Sequence, residues 1–290
     1  MKKIYTILLL VGWAMASCTT DIDLKLDGTS PMLVVDGVIT TDTMAHSVYL
    51  QRTTDYFSNT AVPGVSGATV TLTDGLTTIT LTESTQKKGL YLTPATYYGI
   101  AGRTYTLHIS DVDVDGDGVK ENYEAASQMQ NVPTIDNVSL AETELFGNKM
   151  WALKASFQEP GNEQNNYLMR NYHNGKLVSD TITEWGVTAD EFFNGVYLKN
   201  ETMMYYSSTK SDENIAKGDT VMFELCGITK EYMNFIDEVV TEYRGHNPMF
   251  GGQPANILTN VKQLSPAVES SKGPRGYFAA YAVTRKSMVY

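Results

Sequence analysis

Ala68-Thr69-Val70-Thr71-Leu72-Thr73, then Asp74-Gly75, then Thr78-Ile79-Thr80-Leu81-Thr82 is the stretch whose reading decides the fold. Apolar and polar residues alternate on both sides of an Asp-Gly pair. Successive side chains of a strand point to opposite faces, so period two marks a half-buried strand, and Asp-Gly is a favoured hairpin turn. The same alternation continues outward. Arg103 to Ile109 alternates, and Tyr123 begins a return strand. Upstream, Met32 to Thr40 is rich in Val, and Val48-Tyr49-Leu50 lies in a second run. Several short strands at close spacing predict a sandwich of two sheets. Gly67-Ala68 to Leu72, Gly89-Leu90-Tyr91 and Gly102 to Leu107 resemble the pattern of prealbumin- or immunoglobulin-like sandwiches.

Asn131-Val132-Pro133-Thr134 reads as a domain boundary, so residues 31–132 are expected to form an N-terminal β-sandwich and 133–290 a C-terminal β-rich domain. Strand pattern resumes at Ile135 and runs through Trp151 to Phe157. A second hairpin, Tyr167 to Tyr172 and Lys176 to Ile182, folds on Asn174-Gly175. Residues 183–217 read as irregular, long for a loop within a compact domain, and are expected to be an insertion with some local structure. Val221 to Leu225 reads as a buried strand closed by Cys226, a small core hydrophobe. One helix is expected near 230–244, with Thr229 as its cap, Gly245 as its stop, and Tyr232, Ile236, Val239, Val240 and Tyr243 as its apolar stripe. Tyr277 to Val283 supplies a final strand. The expected fold is thus mainly β, two sandwiches with one packed helix.

The N-terminus carries an address. Lys2 and Lys3 precede a short apolar run from Ile4 to Gly12, a secretory signal rather than a spanning helix. The signal ends in Met15-Ala16-Ser17-Cys18, which resembles a bacterial lipobox. Residues 1–17 would be removed, Cys18 would be acylated by palmitate-type chains, and 18–30 would be a tether. Asp21 and Asp23 resemble a surface-export signal. The protein has 22 Lys and Arg against 33 Asp and Glu, a net charge of −11. Losing Lys2 and Lys3 makes it more acidic still, which argues against nucleic acid and anionic lipid as partners. Attachment to the outer-membrane lipid would come from the acyl chains. With Cys18 acylated, Cys226 has no partner and no disulfide framework is expected.

These features together resemble a family of Bacteroidota lipoproteins, domain-of-unknown-function family 4249. The resemblance is carried by Cys18, Asp21-Ile22-Asp23-Leu24, Pro31 to Thr40, Gly218-Asp219-Thr220-Val221, Tyr232 in the helix, Pro248-Met249-Phe250, Pro254 to Asn260, and Gly276-Tyr277-Phe278-Ala279-Ala280. It implies a surface or outer-membrane lipoprotein, often encoded beside a TonB-dependent receptor, and supplies no catalytic residues. An acidic segment at 111–124 departs from the commoner family pattern.

That segment carries the sharpest chemical signal. Counting Asp113 as position one, carboxylates fall at Asp113, Asp115 and Asp117, glycine at Gly118, and Glu124 at position twelve. This spacing matches a calcium-binding loop, with the Val119 carbonyl and Glu121 as further ligands. The flanks read as strands, not helices, and drawing Glu124 into the return strand would leave a weaker, structural site on the three aspartates.

Other chemistry is sparse. The chain has no His-Glu-x-x-His, Cys-x-x-Cys or Walker loop, and Gly64-Val65-Ser66-Gly67 misses a nucleophile elbow by one residue. His46, His108, His173 and His246 stand singly and read as structural or solvated. Tyr56-Phe57, Tyr97-Tyr98 and Met203-Met204-Tyr205-Tyr206 read as one ring in the core and its neighbour outside. Thr43, Thr181 and Thr220 sit in patterns resembling O-glycosylation acceptors, Thr220 the least accessible. The leading expectation is a non-enzymatic accessory of a TonB-dependent nutrient transporter, of unknown ligand. A surface adhesin or structural module is the alternative, and a hydrolase the remote one.

Overall fold

The computed structural model describes residues 31–54, 61–145, 147–245, 257–269 and 272–290. The first half holds β1 (Leu33–Thr40), β2 (Ser47–Arg52), β3 (Thr69–Thr73), β4 (Thr78–Thr80), β5 (Thr82–Glu83), β6 (Leu90–Leu92), β7 (Thr104–Val112) and β8 (Glu121–Gln128). Next come β9 (Asn137–Leu145), β10 (Asn148–Gln158), β11 (Asn166–His173), β12 (Lys176–Leu177), β13 (Gly186–Ala189), β14 (Tyr197–Ser207) and β15 (Thr220–Ile228). The helix α1 (Lys230–Arg244), β16 (Val261–Ser265) and β17 (Arg275–Val289) complete the order.

The first hairpin forms as its alternation requires. β3 pairs with β4, and Val70 and Leu72 are buried. Its turn is wider than two residues. Asp74 Oδ1 accepts the N–H groups of Leu76 and Thr77, so the loop spans Asp74 to Thr77. The chain then changes sheets after Leu81, and β5 pairs with β6. At the second hairpin Asn174 and Gly175 both take positive φ (48° and 79°), which two-residue turns of this hand require.

Three sheets result. A nine-stranded sheet runs β12-β11-β15-β17-β1-β2-β6-β5, with β13 added beside β11. A five-stranded sheet (β16-β8-β7-β3-β4) and a three-stranded sheet (β14-β10-β9) face it. One core, with Leu33, Val35, Leu50, Leu107 and Phe278, fills the first sandwich. A second, with Trp151, Phe157, Tyr167, Phe223 and Leu225, fills the other. On the opposite face of the long sheet, α1 lays Tyr232 and Ile236 against Leu168, Cys226, Tyr277 and Tyr281.

The two sandwiches share one strand, which corrects the expected division at 132. Residues 31–290 form one compact unit. β17 pairs in parallel with β1 from Val34–Arg275 to Thr40–Tyr281, then antiparallel with β15 from Gly227–Ala282 to Thr220–Val289. β16 pairs with β8 of the first sandwich. Val132 packs against both cores. β17 is apolar on both sides for a clear reason. Phe278, Ala280 and Ala282 enter the first core, while Tyr277, Ala279 and Tyr281 meet α1.

Three further expectations need correction. Residues 183–217 contain β13 and the 11-residue β14. β14 is an edge strand whose pairing with β10 shifts register twice, and these irregularities hide its period. Tyr243 is 77% exposed, so the apolar stripe of α1 ends before it and gains Met233 and Phe235 instead. Cys226 lies inside β15, fully buried, rather than closing it. The helix ends stand where expected, with Thr229 Oγ1 accepting the Tyr232 N–H at 3.2 Å and Gly245 as C-cap.

Buried charge is fully met by partners. Glu224 of β15 accepts from Arg170 Nε of β11 and Arg285 Nε of β17, both at 2.5 Å, and from the Tyr172 hydroxyl at 3.1 Å. Register places the three charged residues side by side across the sheet. A carboxylate so buried is tolerated because it is paired and hydrogen-bonded.

Candidate functional site

A cleft of about 440 Å³ opens where the first sandwich, the start of β11 and the N-terminus of α1 meet. Its volume falls in the range of small-molecule pockets. One wall is fixed by hydrogen bonds from residues just before β16. The Thr259 hydroxyl donates to the Gly276 carbonyl at 2.6 Å. Asn260 Nδ2 donates to the carbonyls of Ala126 and Phe278, and its Oδ1 accepts the Phe278 N–H at 3.0 Å. Asn260 thereby ties β8 to β17. Tyr277 forms the floor, 7% exposed, its ring 5.0 Å from Tyr232 and 4.9 Å from Phe235. Burial pushes its phenol up to about 12, a hydrogen bond with Thr229 holding it back.

The remaining lining mixes apolar Ala126, Ile228 and Leu258 with polar, mostly neutral groups. Gln128 and Gln130 rim the cleft on one side, their amides joined at 3.2 Å. Gln164 and Asn166 reach it from the β11 side, and Asn234, Lys230 and Glu231 from the first turns of α1. Among the described residues, the side chains of Gln164, Asn166, Asn234, Lys230 and Glu231 make no hydrogen bond or ion pair. Neutral amides offer paired donors and acceptors without titrating. Sequence reasoning missed this cleft, because its residues come from segments more than a hundred positions apart and match no motif.

The acidic loop lies between β7 and β8, at the far end of the same hairpin. Asp113, Asp115 and Asp117 are exposed and bring oxygens within 4.8 Å of one another. Asp113 accepts the N–H groups of Gly116 (2.7 Å) and Gly118 (3.1 Å), and Asp117 accepts that of Val119 (2.7 Å). These bonds wind the loop tightly and turn the aspartates to one side. Glu121 is buried and its Oε2 accepts the Val114 N–H at 3.1 Å. Its carboxyl is raised above the usual range, by burial first and also by the charges of Asp115 and Asp113, but it is not among the three carboxylates whose oxygens cluster. Glu124 is the correction. It sits in β8 opposite His108 of β7, whose Nδ1 lies 3.3 Å from its Oε2. Strand pairing takes it out of the loop. The three aspartates, each oxygen of which can accept more than one bond, fit a hard divalent cation with Glu121 behind them; Glu124 does not join them.

The other sequence-predicted positions are structural or solvent-facing. His46 is buried and kept neutral, its affinity for a proton lowered by burial, with Nδ1 against the Thr40 N–H and Nε2 against the Asp42 carbonyl. His173 bridges the Asp212 carbonyl and the Asp219 carboxylate. Ser66 bonds Glu83, with no histidine in reach among the contacts of either. Tyr206 is buried and Tyr205 is 43% exposed; Tyr97 packs on His46 while Tyr98 is 54% exposed. Thr43 and Thr181 are exposed and Thr220 half-buried. Among the described residues, no helix is long and apolar enough to cross a membrane. Cys18, Asp21, Asp23, Tyr56-Phe57, His246, Pro248-Met249-Phe250 and Pro254 to Asn256 lie outside the described residues.

Comparison with known proteins places the chain in a family. No curated protein matches it. Among solved structures, one similar chain comes from Bacteroides uniformis and is described as a carbohydrate binding protein, an assignment itself provisional. It is 11% identical, with a TM-score of 0.21, covering 69% of this chain and 90% of its own. The family model described as "Domain of unknown function (DUF4249)" matches residues 19–287, nearly the whole of the chain, and the protein belongs to that family.

Proposed function

We propose that this protein is a non-enzymatic binding lipoprotein, held in the outer membrane by acylated Cys18 and displayed at the cell surface, where it serves a TonB-dependent nutrient transporter. The observation that carries the binding role is the cleft. Its convergent groups are mainly carboxamides and hydroxyls, with Lys230 and Glu231 beside them, and such groups hold a ligand by hydrogen bonds. Anchoring is supported by the lipobox-like Met15-Ala16-Ser17-Cys18 and the polar segment after it. The acidic balance leaves acyl chains as the means of attachment. The acidic loop takes calcium in a structural role, on Asp113, Asp115 and Asp117 with Glu121 behind them.

The test is copurification from native membranes in mild detergent. A TonB-dependent barrel should come down with the lipoprotein, and Cys18→Ala should move the protein to the soluble fraction. Recovery of the lipoprotein alone would favour the adhesin reading instead.

A further inference from the structure

We infer that His173 is a proton-dependent latch: at neutral pH its ring is an imidazolium that holds the 208–219 segment against the end of β11, and the segment comes loose as pH rises.

The geometry requires two protons on the ring. Nδ1 lies 2.7 Å from the Asp212 carbonyl oxygen, and Nε2 lies 2.9 Å from Asp219 Oδ2. Both oxygens can only accept. A neutral imidazole carries one N–H and satisfies one of them, whereas an imidazolium carries two and satisfies both. Asn174 Nδ2 also stands 3.2 Å from Nε2, but it donates to Asp219 Oδ1 at 2.9 Å. A ring protonated on Nδ1 alone would set a lone pair against Asp219 Oδ2. That carboxylate is fixed in place, because it also accepts the Ala216 N–H at 2.8 Å.

The charges around the ring favour the cation. Asp212 and Asp219 face it from the segment. Lys176 of β12 sits opposite it in the ladder, with Nζ 3.9 Å from Asp212 Oδ2. β15 brings uncharged Val221 to its other side. Lys210 pairs with Glu213 and Glu184, and Lys217 lies over the Tyr290 ring. Burial works against the proton, but the bonds to Asp212 and Asp219 and the two carboxylate charges outweigh it, so His173 titrates above the ordinary imidazole range. The folded state therefore binds this proton more tightly than the unfolded chain. The stabilisation is complete below about pH 6.5 and is lost as pH rises through the folded value. Asp219, held down to about 2 by Asn174 first, stays charged throughout that window.

The latch holds a defined piece of chain. Between Asp212 and Asp219, Ile215 is buried in the second core and Glu213 is buried against the Ser207 N–H. The Asp219 end is tied independently, since its carbonyl accepts the Tyr290 N–H at 2.9 Å and the Gly218 N–H donates to the Tyr290 carbonyl at 2.8 Å. The bonds of Glu213 to Ser207 and Lys210 do not reach β11. As pH rises, the last ring proton stays on Nε2, where it faces a carboxylate. Nδ1 is stripped, its lone pair meets the Asp212 carbonyl, and the Asp212 side is released.

The experiment follows the full-length protein in mild detergent from about pH 5.5 to about pH 9.5. Histidine-selective NMR reads the ring, and hydrogen exchange, expressed as protection so that the intrinsic pH dependence cancels, reads the segment. The His173 signal, assigned by its loss in His173→Gln, should titrate above about 6.5. Protection over 208–217 should fall about fivefold or more through the same midpoint, while α1 keeps its own. His173→Gln, which cannot take up a proton, should show no step. A ring midpoint at or below about 6.5, a segment equally protected across the range, or a step that persists in His173→Gln overturns the inference. If the variant does not fold, the parent decides alone: ring and segment must share one midpoint, and separate midpoints overturn the latch.

Discussion

The acidic loop and the amide-lined cleft lie at opposite ends of the β7–β8 hairpin, and they are built in opposite ways. The loop is local. Nine consecutive residues, 113–121, supply its carboxylates, and its own Asp side chains hold its own N–H groups. The cleft is assembled from β8, the approach to β11, the start of α1 and the residues before β16. What holds those pieces is β17, paired with β1 on one side and β15 on the other. The loop's failure therefore leaves the fold intact, whereas failure of the sheet takes the cleft with it. The predictions below test that contrast.

The largest effect belongs to Gly276. It is the second residue of β17, at φ +84°, and a Cβ there would sit 2.0 Å from the Val35 carbonyl oxygen. Neither clash nor conformation can relax without opening the parallel β1–β17 pairing. Gly276→Ala should cost more than about 4 kcal/mol, or prevent folding, by urea denaturation. A folded variant within about 1 kcal/mol of the parent would show that the shared strand is not the frame of the molecule.

Asn260→Ala comes next. It strands the Phe278 N–H and removes the donor to two carbonyls. Unsatisfied groups of this kind cost about 1–3 kcal/mol each when buried, and Asn260 is only half-buried. A loss of about 2–4 kcal/mol in urea is expected. Any ligand of the cleft should bind more weakly, because the wall at Thr259 loosens with it. Unchanged stability would detach this wall from the fold.

Calcium should act more gently. Binding to the folded state alone adds about 1.4 kcal/mol at ten times the dissociation constant. For a chain of this size that raises the unfolding midpoint by roughly 3–5 °C. Thermal unfolding with millimolar calcium and with chelator measures it, and Asp113→Asn should abolish the difference. A midpoint indifferent to calcium removes the ion from the loop. Affinity in the cleft should be the same with calcium or chelator, since the loop is at the far end of the hairpin.

How much of this was legible follows the same line between local and assembled. Val70 and Leu72 announce their strand by alternation, Asn174-Gly175 announces its turn by conformational need, and Thr229 and Gly245 bracket the helix. Each of those signals acts within a few residues. The parallel pairing of Val34–Thr40 with Arg275–Tyr281 spans the whole chain, and no period reports it. Two of the family-like blocks, Pro31 to Thr40 and Gly276 to Ala280, are the two sides of that pairing. Their distance in sequence conceals that they are neighbours. β14 was hidden differently: its bulges, with Asn200 at φ +57°, break the alternation that would mark a strand. The cleft was illegible because its amides are common residues whose meaning lies only in their convergence.

The smallest expected effect is the most discriminating for the loop. Read as spacing alone, Glu124 is the closing ligand of a calcium loop, two oxygens at position twelve. Read as structure, it is a strand residue. β8 begins at Glu121, so alternation points Glu121 and Tyr123 into the core and Glu124 outward beside His108. To reach the aspartates, Glu124 would have to leave the β7 ladder, breaking pairing that runs from Ile109–Tyr123 to Thr104–Gln128. The pair it makes with His108 is itself exposed, 38% and 44% at the two side chains, and such pairs contribute little. Glu124→Gln should therefore change the midpoint by less than about 1 °C, with calcium or without. Asp115→Asn, one carboxylate changed within the same segment, should lose the calcium response. If Glu124→Gln loses it too, the ion must remodel the ladder, and the loop would answer to its motif rather than to its register.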